Sequence, residues 1–512
     1  MSAPLPDKSM DVGRPRPKLT SSGLHRDVGI VVPYKSHSAM GITLSLLKPS
    51  APTQLSKGLD SDAAQEETRL RSNASVDTSN GGKGQGEHRA RLERLTKERN
   101  EVLDRWADRK LLSLTSDEVA LNNYLKKNLK YLFGQTGFEP PVPARNPVSV
   151  SMHNPRFAAA LWAINTEAYR RKSSLSRSQK EVIALSVSLA NQCPHCAYIH
   201  TAMGPAAGRD VGMDQMQALY QTGDVDVAFP PSEEQDQFLH DLAKWALSLR
   251  DGSLKSRSMP CKPDQVPEVL GTTMLFSMLN RIVDAFVSKS ESGPMFPLPV
   301  RLMMQFRSLT PMVQRMMSAM MSWMMYGEDS KILPGAVLRD INEIVPNIES
   351  EGGPEVPTLP HELRWASSNP IIRPTFAFLA AEADLLARTY VPGTISPYTK
   401  FWASSWDGGI PKGLSRRTWL DPAINRYLDI KARSKVEVED ADEDRGALAM
   451  LRLMLVTIVA SSTIDDNLIS ECQEYHGIRG THAAVHWAAF LAAQRSCELA
   501  YTKPATAELF VP

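Results

Sequence analysis

The sequence predicts an all-α protein, and two observations lead to this prediction. Apolar residues recur at helical spacing through most of the chain after about residue 88, and the alternating apolar–polar runs typical of β-strands are absent. Thr115 illustrates the pattern, because it is placed as an N-cap with Glu118 as its capping-box partner. At 512 residues, the chain is long enough for two or three domains that each bury a core.

Composition divides the chain into five segments. Residues 1–87, rich in Ser, Pro, Gly and Lys, predict a disordered leader, and residues 88–140 predict a helical lead-in. Residues 141–327 form a first helical unit that ends in a methionine-rich connector. Residues 328–365 are rich in Pro, Gly and Glu and predict a linker, and residues 366–512 form a second helical unit.

Methionines are unusually dense between residues 291 and 327. Because methionine fills irregular gaps, this segment predicts a packed or gating helix that joins the two halves. A soft-metal thioether site and an apolar substrate channel are the alternatives. The methionines concerned are Met303, Met304, Met312, Met316, Met317, Met320, Met321, Met324 and Met325.

The charge balance and the number of cysteines limit which cellular compartment and which classes of partner are expected. The 58 Lys+Arg against 57 Asp+Glu give a net charge of +1, which argues against nucleic acid as a partner. Five cysteines are too few and too odd in number for a secreted disulfide framework, so a cytoplasmic chain is predicted. No membrane span is predicted, and the apolar window 451–460 is interpreted as a buried helix. The basic start leaves organellar targeting open.

Residues 177–204 concentrate the side chains that carry chemistry. Cys193 and Cys196 form a C-x-x-C motif that encloses His195, while His200 follows Cys196 by four residues and Glu181 precedes Cys193 by twelve. The proline after Cys193 suits a first helical position, so a helix is predicted to start at the first cysteine. Orphan N–H groups and the helix dipole at that first turn favour a thiolate.

The preceding helix, predicted from Arg177 to about residue 190, should run antiparallel to the cysteine helix. Glu181 and His200 then lie at similar depth, since each is about nine residues from the turn. This arrangement predicts a relay in which the carboxylate orients the imidazole and the imidazole takes a thiol proton. His195 is a second candidate proton handler. A cysteine oxidised by a peroxide could then be resolved by its neighbour as a disulfide.

Other interpretations of the same residues stay open. Zinc binding by the two cysteines and two histidines would normally need a second ligand pair nearby, and none is evident, so no metal and no cofactor are predicted. The cysteines could also be a buried pair without a redox role, and Glu181 could be a solvated helix residue. A second cluster, formed by Cys472, His476, His482 and His486, favours packed or substrate-lining histidines over a metal site.

The pattern E-x11-C-P-H-C-x3-H, preceded by HNP and followed by LNRIVDAF, resembles the alkylhydroperoxidase AhpD and carboxymuconolactone decarboxylase-like family. The resemblance is best over residues 150–290 and looser over 365–505. It implies an all-helical AhpD-like fold, a tandem helical repeat, frequent homo-oligomerisation and thiol-dependent reduction of hydroperoxides. By position, it makes Cys196 the peroxidatic thiol, Cys193 the resolving thiol, Glu181 and His200 the relay, and His195 an additional histidine.

Three segments of the first unit are echoed in order in the second, which predicts a diverged duplication. Thr463, Asp466 and Ser470 stand where the first copy has its two cysteines and His200, so the second copy is predicted to lack dithiol chemistry. The echoed segments are HNPRFAAALWAINTEAYRRK at 153 with SNPIIRPTFAFLAAEADLLAR at 368, EVIALSVSLANQCPHCAYIH at 181 with LRLMLVTIVASSTIDDNLIS at 451, and FSMLNRIVDAF at 276 with FLAAQRSCELA at 490.

These observations predict a thiol-dependent peroxidase or dithiol oxidoreductase whose partners are a hydroperoxide and a thiol or dithiol reductant. A non-catalytic redox-sensing or scaffold protein is the first alternative. A decarboxylase or tailoring enzyme acting on a lactone-like substrate is the second, although decarboxylase members of the family generally lack the C-x-x-C motif.

Overall fold

The computed structural model describes residues 114–133, 147–208, 210–230, 234–250, 258–287, 310–329, 331–345, 358–410, 417–434 and 441–501. Within these ranges the chain forms sixteen α-helices and no β-strand, which confirms the predicted all-α class. The predicted leader, and residues 88–113 and 134–140 of the lead-in, lie outside the described residues.

The first ten helices carry the candidate site and the methionine-rich segment. They are α1 (Ser116–Phe133), α2 (Pro147–Ser151), α3 (Pro155–Ile164), α4 (Arg177–Ala190), α5 (Pro194–Ala207), α6 (Met213–Thr222), α7 (Val225–Ala228), α8 (Glu234–Leu247), α9 (Val266–Phe286) and α10 (Thr310–Asp329).

The remaining six helices build the second half of the described chain. They are α11 (Ala336–Ile344), α12 (Ile372–Tyr390), α13 (Ser396–Ser405), α14 (Leu420–Ser434), α15 (Ala441–Ala460) and α16 (Asp466–Tyr501). Helix α16 is kinked at Gly477, whose φ of 64° is a left-handed conformation that glycine adopts without a steric penalty.

Helix α1 begins with the capping box that the sequence predicts. The Thr115 backbone N–H donates to Glu118 Oε2 at 3.0 Å, and the Glu118 N–H donates to Thr115 Oγ1 at 3.2 Å. Leu121 and Leu125 are fully buried on the side of α1 that packs against α3. The lead-in therefore contains a helix that belongs to the main core.

Helix α9 lies at the centre of the fold. Every residue from Pro267 to Phe286 is buried, as expected of a helix surrounded by protein on all sides. It packs against α4 on one side and against α16 on the other. A Cβ at Gly271 would lie only 3.2 Å from the Ala168 side chain and 3.3 Å from the Phe376 ring, so glycine permits this close crossing.

The helix order in the second half parallels that in the first. Helix α4 is followed after a short turn by α5, and α15 is followed by a 3₁₀ turn, Ser461–Thr463, and then by α16. The echoed elements also pack on each other, α3 against α12 and α9 against α16. The duplication stays a prediction, and this packing is consistent with it.

The linker over residues 328–365 stays a prediction, and the described part of this segment includes helical structure. It contains α11 and a 3₁₀ turn, His361–Ala366. Val337 and Ile341 lie four residues apart on α11 and are buried, and the helix packs against α1 and α3. The helix is only nine residues long, and most of the Pro, Gly and Glu residues of the segment lie outside it.

The described part of the methionine-rich segment lies in α10, which packs along α5. Val313 and Met317 are buried against Tyr198 and Ala202 of α5. One face of α10 stays exposed, with Met312 and Met316 about half accessible. The described part of the segment is therefore a packed helix, as one of the predicted alternatives states.

One helical stretch in the described part, Asp444–Thr463, is long and apolar enough to cross a membrane. Its mean hydropathy is 1.6, and 78% of it is buried inside the protein. Arg281 of α9 donates to the carbonyl oxygens of Thr457 and Ile458 near the end of α15, at 3.1 and 3.3 Å. The prediction of a buried helix over residues 451–460 is confirmed.

Candidate functional site

The site is built on the α4–α5 hairpin. Ser176 caps α4 with Gln179 as its capping-box partner, since the Gln179 N–H donates to Ser176 Oγ at 3.2 Å and the Ser176 N–H donates to Gln179 Oε1 at 2.9 Å. Gln192 turns the chain with a φ of 58°. Cys193 is then the N-cap of α5, and Pro194 occupies the first helical position. Both helix boundaries agree with those predicted.

The two cysteines of the motif form a buried pair of free thiols. Cys193 is 1% exposed and Cys196 is 6% exposed, and they pack with Val283 of α9 and with Val287, the residue that follows this helix. Cys193 Sγ donates to Cys196 Sγ at 2.9 Å. Burial raises the pKa of Cys193 well above its usual value, with further contributions from Cys196 and the Asp284 carboxylate. The Cys193 proton therefore points at Cys196, the acceptor in this pair.

Glu181 and His200 meet across the hairpin. Glu181 Oε2 lies 2.7 Å from His200 Nδ1, and both side chains are buried. Burial opposes ionisation of Glu181, but Arg177 and then His200 more than offset it, so the pKa of Glu181 is lowered. An ionised carboxylate only accepts hydrogen bonds, which assigns the proton to His200 Nδ1. Nε2 is then the nitrogen that can accept a proton.

Neighbouring side chains fix the carboxylate and the imidazole. The Tyr169 hydroxyl donates to Glu181 Oε1 at 2.5 Å, and Arg177 Nε donates to the same oxygen at 2.9 Å. The Phe276 ring lies edge-on to His200 at 4.5 Å and to Tyr169 at 4.7 Å. Burial raises the pKa of Tyr169 well above its ordinary value, so the phenol remains a donor.

The interpretation of Glu181 as a solvated helix residue is wrong. Glu181 and its neighbour Lys180 are both fully buried, because α4 is covered by α5, α8 and α9. Lys180 Nζ donates to Ser173 Oγ at 2.6 Å and lies 3.6 Å from Glu268 Oε2. The polar sequence of the first turns of α4 thus reflects buried ion pairs and not a surface.

The relay predicted from the sequence is formed only in part. Among the described hydrogen bonds, His200 binds Glu181 but neither Cys193 nor Cys196. Cys196 lies one helical turn before His200 on α5, the spacing at which two side chains share a face. His195 is buried in the first turn of α5. The step from thiol to imidazole stays a prediction.

Sequence reasoning missed three residues of the site: Tyr169, Arg177 and Phe276. Arg177 could have been found, because it precedes Glu181 by four residues and such pairs meet on a helix face. Tyr169 lies in a π-helical turn, Asn165–Arg170, that continues α3. No sequence pattern marks this turn, although π-turns often occur at functional sites.

The second cluster predicted from the sequence separates into packed side chains. The His482 ring stacks on Phe286 at 3.9 Å, and the His486 ring stacks on Phe157 at 4.7 Å. His476, by contrast, bonds the Gly446 carbonyl oxygen at 2.8 Å. In the described ranges, no group of three or more His, Cys, Asp or Glu side chains is placed to hold a metal ion.

The corresponding positions of the second half hold no comparable site. Leu451, fully buried on α15, stands where the first half has Glu181 in the echoed segments. Ser470, at the position of His200, is exposed. Neither residue can take part in a buried carboxylate–imidazole pair.

The fold and the site define an all-α protein with a buried dithiol at a helix start and a buried carboxylate–imidazole pair beside it. The model of the carboxymuconolactone decarboxylase family matches residues 155–229. This range runs from the start of α3 to just beyond α7 and contains all five predicted site residues. The predicted resemblance to the AhpD-like family is thereby confirmed for this segment. Searches of curated proteins and of solved structures found no significant match.

Proposed function

We propose that the protein is a thiol-dependent peroxidase, or dithiol oxidoreductase, that reduces hydroperoxides through a cycle of Cys193 and Cys196. The observation that carries the proposal is the pair of buried free thiols with their sulfurs 2.9 Å apart, at the start of the helix that also carries His200. The hydrogen bond from Cys193 to Cys196 gives the thiols different roles. Cys196, as the acceptor, is the attacking sulfur.

In the first step, His200 Nε2 takes the proton of the Cys196 thiol. The thiolate attacks the terminal oxygen of the hydroperoxide, a sulfur–oxygen bond forms and the oxygen–oxygen bond breaks. The electron pair leaves on the alkoxide, which takes the proton back from His200 and departs as an alcohol. Glu181 stabilises the imidazolium between these two transfers.

In the second step, the Cys193 sulfur attacks the sulfenic sulfur of Cys196. A disulfide forms, the sulfur–oxygen bond breaks, and the Cys193 proton leaves with the hydroxide as water. A dithiol reductant then returns both cysteines to thiols by two exchanges and becomes a disulfide itself. The cytoplasm predicted from the cysteine content keeps such reductants available.

The experiment that tests this proposal is steady-state turnover of an alkyl hydroperoxide with dithiothreitol as the reductant. We expect turnover by the wild type, none by Cys196→Ser, and wild-type turnover by Cys472→Ser. Cys472 is the matched control, because it is a buried free thiol outside the motif. Full turnover by Cys196→Ser would overturn the proposal.

The same assay separates the alternatives. One equivalent of peroxide consumed without further turnover supports a redox-sensing or scaffold protein. Decarboxylation of a lactone-like substrate is a second candidate function, favoured by the name of the matching family. It would be supported if such a substrate lost carbon dioxide with Cys196→Ser but not with His200→Ala.

A further inference from the structure

The methionine-rich helix α10 contacts the rest of the protein near its start and at its last residue. Near its start, Gln217 Nε2 of α6 donates to Gln314 Oε1 at 3.0 Å, and Val313 and Met317 pack against α5. At its last residue, Asp329, the helix reaches the polar surroundings of Glu181. The contact made by Asp329 is the one that bears on the chemistry of the site.

The Asp329 carboxylate binds two largely buried arginines, one with each oxygen. Arg170 Nε donates to Oδ1 at 2.9 Å, and Arg177 Nη1 donates to Oδ2 at 2.9 Å. The side chains are 9%, 11% and 15% exposed for Arg170, Arg177 and Asp329. These ion pairs are therefore largely removed from solvent, where loss of one partner has large effects.

The Arg177 guanidinium spans two carboxylates. Its Nη1 binds Asp329 on α10, while its Nε and Nη2 both lie 2.9 Å from Glu181 Oε1 on α4. Its plane also lies over the Tyr169 ring, with Cζ 3.7 Å from the ring centre. A planar guanidinium group that binds two carboxylates and stacks on an aromatic ring has little orientational freedom.

We infer that Asp329 is a positioning residue: it fixes Arg177 in the orientation in which Arg177 holds Glu181 against His200, so that the Glu181–His200 pair depends on the docked α10. The kinetic consequence of this inference rests on the proposed function. The geometric consequence, a changed hydrogen bond at His200 Nδ1, does not.

The charges explain why Asp329 matters. Glu181 and Asp329 together balance Arg170 and Arg177. Without the Asp329 carboxylate, the two arginines share one counter-ion, Glu181. Arg177 also loses the charge-assisted hydrogen bond from Nη1 to Asp329. Arg177 is then free to leave the geometry in which it and Tyr169 share Glu181 Oε1, and the second oxygen is no longer held towards His200.

The test compares Asp329→Asn with Asp329→Glu and with a matched control. The control is Asp214→Asn, which breaks the 3.4 Å pair with Arg315 that also links α10 to the body but lies on the exposed surface. Two readouts are recorded for the full chain: the downfield proton NMR signal of His200 Nδ1–H, and the rate of thiol oxidation by an alkyl hydroperoxide. Circular dichroism verifies that each variant is folded.

We expect Asp329→Asn to weaken or abolish the His200 Nδ1–H signal and to slow thiol oxidation by about tenfold, which corresponds to about 1.4 kcal/mol in the activation free energy. Asp329→Glu should keep part of the His200 signal and part of the oxidation rate. Asp214→Asn should change neither the signal nor the rate. A double variant, Asp329→Asn with Arg170→Gln, balances the charge again. It should stay impaired, because charge balance alone does not anchor Arg177.

An unchanged His200 signal in folded Asp329→Asn would overturn the inference. Full recovery in the charge-balanced double variant would also overturn it, since the effect would then be one of net charge. A third outcome is that peroxide oxidises the thiols of neither the wild type nor any variant, while Asp329→Asn still loses the His200 signal. The positioning role then stands and only the proposed function fails.

Discussion

Glu181 Oε2 and His200 Nδ1 lie 2.7 Å apart although the two residues are 19 positions apart in the chain. The bond joins the first turns of α4 to the middle of α5, and Tyr169 and Arg177 hold its carboxylate from the other side. It fixes the tautomer of His200 and leaves Nε2 as the basic nitrogen. The proposed chemistry depends on this pair as much as on the thiols.

Removal of the Glu181 charge should slow peroxide reduction while leaving the thiols in place. Glu181→Gln keeps the size and an accepting oxygen but no longer stabilises an imidazolium, so we expect kcat/KM to fall by about 10²-fold or more. The measurement is steady-state peroxide consumption. Glu382→Gln is the control, since Glu382, on α12 in the second half, is a buried carboxylate paired with Arg156 of α3. An equal fall in kcat/KM in Glu181→Gln and Glu382→Gln would mean that the loss reflects lower protein stability and not the chemistry of the site.

The ion pair of Lys180 and Glu268 should be important for folding. Burial lowers the pKa of Lys180 to about 8, and Glu268 also accepts the Leu175 N–H at 3.1 Å. Glu268→Ala leaves a buried ammonium without its counter-ion, so the free energy of unfolding should fall by about 3–5 kcal/mol. Denaturant unfolding measures it. The same change at Asp384, which pairs with Lys400 on the surface, should cost less than about 1 kcal/mol.

The buried histidines should make the protein sensitive to acid. Burial, with His153 and His486, lowers the pKa of His482 well below 6.5, and burial lowers the pKa of His486 to about 3. The unfolded chain binds these protons below pH 6.5 and the folded chain does not. Each histidine therefore contributes stability that is fully present above pH 6.5 and is lost, by about 1.4 kcal/mol per pH unit, as the pH falls towards its folded pKa.

His482→Phe should reduce this pH slope by the contribution of one histidine. Phenylalanine can replace the ring stacked on Phe286 and takes up no proton. The measurement is the free energy of unfolding at several pH values between 7 and 5. Phe286→Leu is the matched control, because it should lower the free energy equally at all of them. An undiminished slope in His482→Phe would contradict the assignment.

The helical class and the core of the site could be predicted because both follow from local spacing. The boundaries of α4 and α5 are marked by a capping box and a proline, and the helical rise alone places Glu181 level with His200. Tyr169 and Asp329 could not be predicted in the same way. Tyr169 reaches the site from a π-turn, and Asp329 reaches Arg177 across 152 positions of the chain.

The burial of the charged residues on α4 could not be predicted from the sequence either. Lys180 and Glu181 look like the charged face of a surface helix, yet each finds an opposite charge inside the protein. A pattern of charges does not distinguish a solvated face from a satisfied interior one, since the partners come from other helices. The same holds for α11, whose two buried residues are covered by α1 and α3.

In the proposed cycle Cys196 attacks and Cys193 resolves, and trapping of the sulfenic acid tests these two roles most directly. Reduced Cys193→Ser and Cys196→Ser are each mixed with one equivalent of hydroperoxide and a cyclic 1,3-diketone that traps sulfenic acids, and the labelled residue is identified by peptide mass spectrometry. We predict a label on Cys196 in Cys193→Ser and no label in the peptide of Cys196→Ser. A label on Cys193 in Cys196→Ser, with Cys196 unmodified in Cys193→Ser, would contradict the account.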